Sequence, residues 1–167
     1  MGFQKEVSSS QALGSAGQIS KAFHSYCNTI SAVADSDDVC VGCFAQIVSS
    51  NNTRLLVKGA SGVEITGKVA GVVVKDKYID TCGTEAKHIY RRGDNVTILS
   101  AGSIFIEVES QATIGQYVHL VKTSGALSFD DAIDTSGDKV YTGFVVSKGN
   151  DAPYEDDGLI EITTALV

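Results

Sequence analysis

Apolar and polar residues alternate with a period of two along much of the chain after residue 38. Ile104, Ile106 and Val108 share one parity, whereas Phe105 and the glutamates that follow it share the other. Successive side chains of a strand point to opposite faces, so this alternation indicates strands with one buried face. The segments between these predicted strands are rich in Gly, Ser, Asn and Asp, which favour turns.

Short strands at this spacing are typical of an antiparallel sandwich or barrel. We therefore predict a mainly β fold, an antiparallel β-sandwich or barrel with an extended N-terminal arm. The predicted strands are Val39–Val48, Arg54–Lys58, Val63–Ile65, Ala70–Lys75, Asn95–Leu99, Ser103–Glu109, Tyr117–Lys122, Val140–Ser147 and Leu159–Thr164.

The first part of the chain has a different character. Residues 1–26 are polar and interrupted by glycine, which is atypical of a core strand. The spacing of apolar residues predicts a short helix over Gln18–Tyr26, and Asp130–Asp134 is predicted to form a turn of helix. We assign residues 1–38 to an arm and linker, and residues 39–167 to the β-rich body.

Charge and hydropathy exclude two classes of partner. The net charge of −7 argues against direct binding to nucleic acid, which requires clustered Lys and Arg. The longest nearly apolar run, Val69–Val74, is far shorter than the ~20 residues of a membrane span. The N-terminal residues lack the apolar core of a signal peptide, so we expect synthesis in the cytoplasm and no membrane partner.

No motif of enzyme chemistry is present in the sequence. A His-Glu-x-x-His motif, a phosphate-binding loop, a dinucleotide fingerprint and a Gly-x-Ser-x-Gly elbow are all missing. The acidic segment 149–158 lacks the regular spacing of an EF-hand. We expect no catalysis and no cofactor.

The four cysteines raise the question of a metal site. Cys40 and Cys43 have the spacing of half a zinc ribbon, but Cys27 and Cys82 are isolated. On a strand, residues three apart point to opposite faces, which would spoil chelation. We expect thiols that pack as small apolar groups, with zinc or a disulfide as the alternatives.

Several short motifs, in order along the chain, resemble those of the structural cement proteins, also called capsid decoration proteins, of tailed phages. The resemblance covers most of the chain. It rests on Met1-Gly2-Phe3-Gln4, Val41-Gly42-Cys43-Phe44-Ala45, Ala70-Gly71-Val72-Val73, Gly115-Gln116-Tyr117-Val118, Val140-Tyr141-Thr142-Gly143-Phe144 and Gly158-Leu159-Ile160.

The resemblance implies a virion protein on the exterior of a phage capsid. Its implied partners are the major capsid protein and further copies of itself, most simply in a trimer. It implies binding across capsomer boundaries, which would stabilise the expanded shell against the pressure of packaged DNA. The alternative is a carbohydrate- or receptor-binding β module of a virion, which the absence of Trp disfavours.

Two kinds of residue are expected at the capsid or subunit interface. Isolated apolar residues of the arm and an outward-facing aromatic ring are candidate anchors. Lys87–Arg92 is the one basic cluster of an acidic chain, and either docks onto an acidic partner or forms a solvated loop or edge strand. The expected interface residues are Phe3, Gln4, Ile19, Phe23, Tyr26, Phe105, His88, Arg91 and Arg92.

Overall fold

The computed structural model describes residues 14–20, 27–51, 54–75, 89–149 and 158–164. Within these ranges the regular structure consists of β-strands, without a helix. The strands are β1 (Asn28–Ala34), β2 (Val39–Cys40), β3 (Phe44–Asn51), β4 (Arg54–Gly59), β5 (Val69–Val73), β6 (Ile89–Tyr90), β7 (Asn95–Ala101), β8 (Ser103–Glu107), β9 (Tyr117–Val121), β10 (Leu127–Asp130), β11 (Lys139–Lys148) and β12 (Leu159–Thr164). None of the described residues lies in a helix able to cross a membrane.

Five strands close into a barrel in the order β1-β4-β3-β5-β7. The barrel closes where β7 returns antiparallel to β1, with Ile30 opposite Ile98. β1 pairs in parallel with β4, so the barrel departs from the antiparallel arrangement that we predicted. Closure leaves the five barrel strands themselves without an open sheet edge, which removes a site of unwanted strand pairing.

The other main layer is an antiparallel sheet of five strands in the order β10-β9-β11-β12-β8. Its inner face packs on the barrel in one cluster of buried side chains that takes members from both layers. Phe44 of the barrel and Phe144 of the sheet meet edge to face, with ring centroids 5.8 Å apart. A second cluster fills the barrel interior and includes Val57 and Ile98.

The predicted alternation is confirmed where it was clearest. Ile104 and Ile106 are fully buried, as are Ile160 and Ile162 on the neighbouring strand β12. These pairs stand opposite each other in the β12–β8 ladder, in which Ile160 faces Ile106 and Ile162 faces Ile104. Burial of these side chains against the barrel is a main source of stability, at about 25 cal/mol per Å² of apolar surface.

Several local predictions were wrong. The predicted strand Val39–Val48 is two strands, separated by a turn in which the Cys43 amide donates to the Cys40 carbonyl (3.3 Å). Val63–Ile65 is not a strand but part of the loop between β4 and β5, in which the Ile65 amide donates to the Lys122 carbonyl (2.7 Å). The residues predicted as a turn of helix at 130–134 instead complete β10 and begin a loop.

The start of the body was also missed by sequence reasoning. β1 lies within residues 1–38, which we had assigned to the arm and linker. The predicted helix over Gln18–Tyr26 is wrong at Gln18–Ser20. These residues are not helical, and Ile19 forms a β-bridge with Ile104. The rest of that helix, residues 21–26, lies outside the described residues.

Candidate functional site

The described part of the arm, residues 14–20, joins the five-stranded sheet to the barrel. The Gly17 amide donates to the Phe105 carbonyl of β8 (2.8 Å). The Gly17 carbonyl accepts from the amide of Lys75, which follows the barrel strand β5 (2.8 Å). A single residue therefore holds both layers through its backbone, and this segment is part of the folded body.

Two predicted interface residues meet at this contact. The bridge of Ile19 to Ile104 lies along the edge of β8 that β12 leaves open. Phe105 points away from the core, as predicted, but it is only partly exposed because Gly14 lies against its ring. A Cβ on Gly14 would come within 2.7 Å of Phe105 Cδ2. Ile19 and Phe105 thus belong to a contact within one chain.

The turn after β6 contains Arg91 and Arg92, both exposed. The Arg91 amide donates to the Asp94 carboxylate (2.8 Å), and the Arg92 amide donates to the Asp37 carboxylate (2.7 Å). The Arg92 guanidinium lies 3.3 Å from Asp35. The two guanidinium groups thus share their surface with three carboxylates, so this turn is not a strongly positive patch.

An apolar side chain accompanies the arginines. Ile89 of β6 is 54% exposed and immediately precedes the buried Tyr90. The turn that contains Arg91 and Arg92 combines an exposed aliphatic group with charges of both signs. Such a surface fits a protein partner better than a nucleic acid.

Five other predicted interface residues lie outside the described residues. They are Phe3, Gln4, Phe23, Tyr26 and His88.

Two exposed isoleucines that sequence reasoning missed lie on loops at one end of the five-stranded sheet. Ile114, between β8 and β9, is 65% exposed, and Ile133, between β10 and β11, is 46% exposed. The two loops are joined, because the Gln116 side-chain amide donates to the Asp131 carboxylate (3.1 Å). The only available signal was a lone isoleucine within each polar turn, and this pattern carries little information.

Cys40 and Cys43 were predicted to lie on one strand with their side chains on opposite faces, and this prediction was wrong. The two residues instead close a turn between β2 and β3. The Cys40 thiol donates to the Asp38 carbonyl (3.6 Å). Across the described ranges, no group of three His, Cys, Asp or Glu side chains is placed to hold a metal ion.

Comparison with known proteins decides the family. The family model described as structural cement protein (E217 gp24/Pam3 gp6) matches residues 3–165. The chain belongs to this family of phage structural cement proteins. The cement protein is also similar in fold to a chain of a solved structure titled "The capsid of Myoviridae Phage XM1", with a TM-score of 0.60 at 12% sequence identity. That likeness covers 98% of this chain and 97% of the other. No curated protein matches the cement protein significantly in sequence.

Membership of this family confirms the resemblance seen in the sequence. It makes the protein a structural component of a phage capsid that associates with capsid proteins. The cement role is thereby favoured over a carbohydrate- or receptor-binding module. The family is a structural one, in keeping with a protein that acts by binding.

Proposed function

We propose that this cement protein binds the outer surface of assembled phage heads across capsomer boundaries and stabilises the expanded shell against the pressure of packaged DNA. The match of the cement family model to nearly the whole chain carries this proposal. The protein performs no chemistry in this role and requires no cofactor.

The proposed stabilisation follows from mass action. A protein that binds the intact shell better than its separated parts shifts the equilibrium toward the intact shell. At a free concentration about 100 times Kd, each site contributes about 2.7 kcal/mol. Many copies multiply this contribution, so each contact need not be strong.

We propose residues 1–13 and the turn at Arg91 and Arg92 as capsid contacts. Residues 1–13 join the body at Gly14, beside Phe105 on the outer side of β8. Phe3 and Gln4 therefore connect to a fixed point of the fold. Backbone pairing and aromatic anchors are the usual means by which an extended segment binds a protein surface.

We propose self-association, most simply as a trimer, through the apolar end of the five-stranded sheet. Ile114 and Ile133 are large aliphatic side chains on loops that are tied together. Ordering of these loops before binding lowers the entropic cost of an interface. Light scattering on the purified protein, with Ile114→Ser and Ile133→Ser as the variant, tests this surface. A mass unchanged by the two substitutions would exclude it.

The role itself is tested on heads with and without the protein. Particles that lack it should assemble but release DNA at a lower temperature than complete particles. Purified protein added to expanded heads should restore the difference without a metal ion or nucleotide. Equal release temperatures would overturn the cement role and favour a receptor-binding function.

A further inference from the structure

His119 is a buried titratable residue with no part in the proposed capsid contacts. It lies at the centre of β9 between Val118 and Leu120, whose side chains belong to the core. By strand alternation His119 points to the opposite face of the sheet, yet its side chain is completely buried. Its cross-strand neighbours are Ser128 on β10 and Tyr141 on β11.

The loop between β10 and β11, residues 131–138, is hydrogen-bonded to this histidine. The Asp134 amide donates to Nε2 of His119 (3.1 Å). A backbone N–H can only donate, so Nε2 must carry a lone pair and the imidazole must be neutral. The ring proton is then on Nδ1, which lies 3.2 Å from Oδ2 of Asp130. Nδ1 forms no aligned hydrogen bond among the described residues, so its interaction with Asp130 is chiefly electrostatic.

We propose that His119 is a proton-controlled latch that holds the middle of the 131–138 loop, at Asp134, against the outer face of the sheet when neutral and releases that part when protonated. Protonation places an N–H on Nε2, directly against the N–H of Asp134. Two donors cannot share that contact, so the bond to the loop is lost. A buried imidazolium would also lack an acceptor for its new proton, which favours the open loop.

A charged pair lies beside His119, formed by Asp130 of β10 and Lys139 of β11. The Asp130 carboxylate is occupied by Lys139, whose Nζ lies 2.9 Å from each oxygen. The Lys139 ammonium repels a second positive charge. Hydrogen bonds from Ser136 lower the pKa of Asp134, so its carboxylate stays ionised and bound within its own loop.

The aromatic neighbours contribute packing rather than charge. The Tyr141 ring centroid lies 5.5 Å from that of His119, and Tyr117, on the strand of His119, packs edge to face on Tyr141. Burial, with a smaller contribution from Tyr117, raises the pKa of Tyr141, so its hydroxyl stays neutral. The released loop carries Ile133, so the proton changes the apolar surface at this end of the sheet.

NMR of the full-length protein tests the latch without any partner. Ring ¹⁵N shifts should show the Nδ1–H tautomer of His119 at neutral pH. As His119 becomes protonated, hydrogen exchange of the Asp134 amide, corrected for its intrinsic pH dependence, should lose about tenfold in protection. An Nε2–H tautomer, or an imidazole that stays neutral until the fold is lost, would overturn the proposal. Unchanged protection during the titration would do the same.

Two variants separate the latch from a general effect of pH. His119→Gln keeps an acceptor for the Asp134 amide and does not titrate, so protection should become independent of pH. His119→Leu removes the acceptor, so the amide should be unprotected throughout the range. His24 and His88 remain in every variant and serve as internal titration references. Identical pH profiles for the wild type and His119→Gln would refute the latch.

Discussion

Gly17 and Gly42 pack backbone against backbone, so closely that a Cβ on Gly42 would lie 2.9 Å from the Gly17 amide nitrogen. Both glycines have positive φ angles, of 77° and 76°. A Cβ on Gly17 would in turn lie 2.4 Å from Cγ1 of Val41. The segment 14–20 thus contacts the barrel at a point where neither Gly17 nor Gly42 has room for a side chain.

Gly17→Ala should lower the free energy of unfolding by about 2–4 kcal/mol. Positive φ alone costs about 1 kcal/mol for a residue with a Cβ, and the steric overlap with the barrel adds to it. Urea denaturation measures the change. Gly62→Ala is the matched control, because its φ is 75° but no heavy atom lies within 4 Å of the added Cβ. Equal losses for both variants would show that overlap at Gly17 is unimportant.

Gln46→Leu should destabilise the fold by about 3 kcal/mol. The buried Gln46 side chain accepts from the amides of Thr66 (3.0 Å) and Gly67 (3.2 Å) and donates to the Glu64 carbonyl (3.2 Å). A leucine would leave these backbone groups without their partner, at about 1–3 kcal/mol for each buried group.

Thermal unfolding compares Gln46→Leu with Gln18→Leu, since the exposed Gln18 side chain makes one local bond to Ser15. We expect the Gln18 variant to lose less than about 1 kcal/mol. An equal loss of stability in the two variants would show that the hydrogen bonds from Gln46 to the 64–67 loop do not stabilise the fold.

Lys139→Met should raise the pKa of Asp130 toward the ordinary carboxyl value near 4. The Lys139 hydrogen bond is the main cause that lowers this pKa in the folded protein. A depressed carboxyl pKa stabilises the fold fully above the unfolded-state value, and the benefit is lost as pH falls through the folded-state value. The stability difference between wild type and variant should therefore shrink on acidification below about pH 4.

Carboxyl ¹³C shifts follow the titration of Asp130 directly. Lys148→Met, at the exposed end of the same strand, is the control and should leave the titration unchanged. An unchanged pKa in Lys139→Met would assign the depression to Ser128 or to other neighbours.

Removal of residues 2–13 should leave the β body folded but weaken its binding to heads. This deletion stops before the segment that pairs with β8, because residues 17–20 cover the open edge of that strand. Removal of residues 2–20 should also destabilise the body, since it exposes that edge and breaks the bonds of Gly17. Co-sedimentation with heads and thermal unfolding separate the two effects. If the protein without residues 2–13 bound heads fully, these residues would be excluded as the main capsid contact.

The sequence by itself determined the class of fold and the inner face of most strands. Ile104, Ile106, Ile160 and Ile162 alternate with polar residues, and burial of one face of a sheet requires that pattern. The family was also recognisable, because the order of short motifs along the chain does not depend on their contacts.

Only the tertiary structure decided which strands pair and which polar residues are buried. Backbone hydrogen bonds are the same for every residue type, so the parallel β1–β4 pair and the bridge of Ile19 to Ile104 have no side-chain signature. From the sequence alone, Gln46 and His119 would be placed among the exposed polar residues of their strands. They are buried because loops distant in sequence fold over them and supply the partners that make burial of a polar group stable.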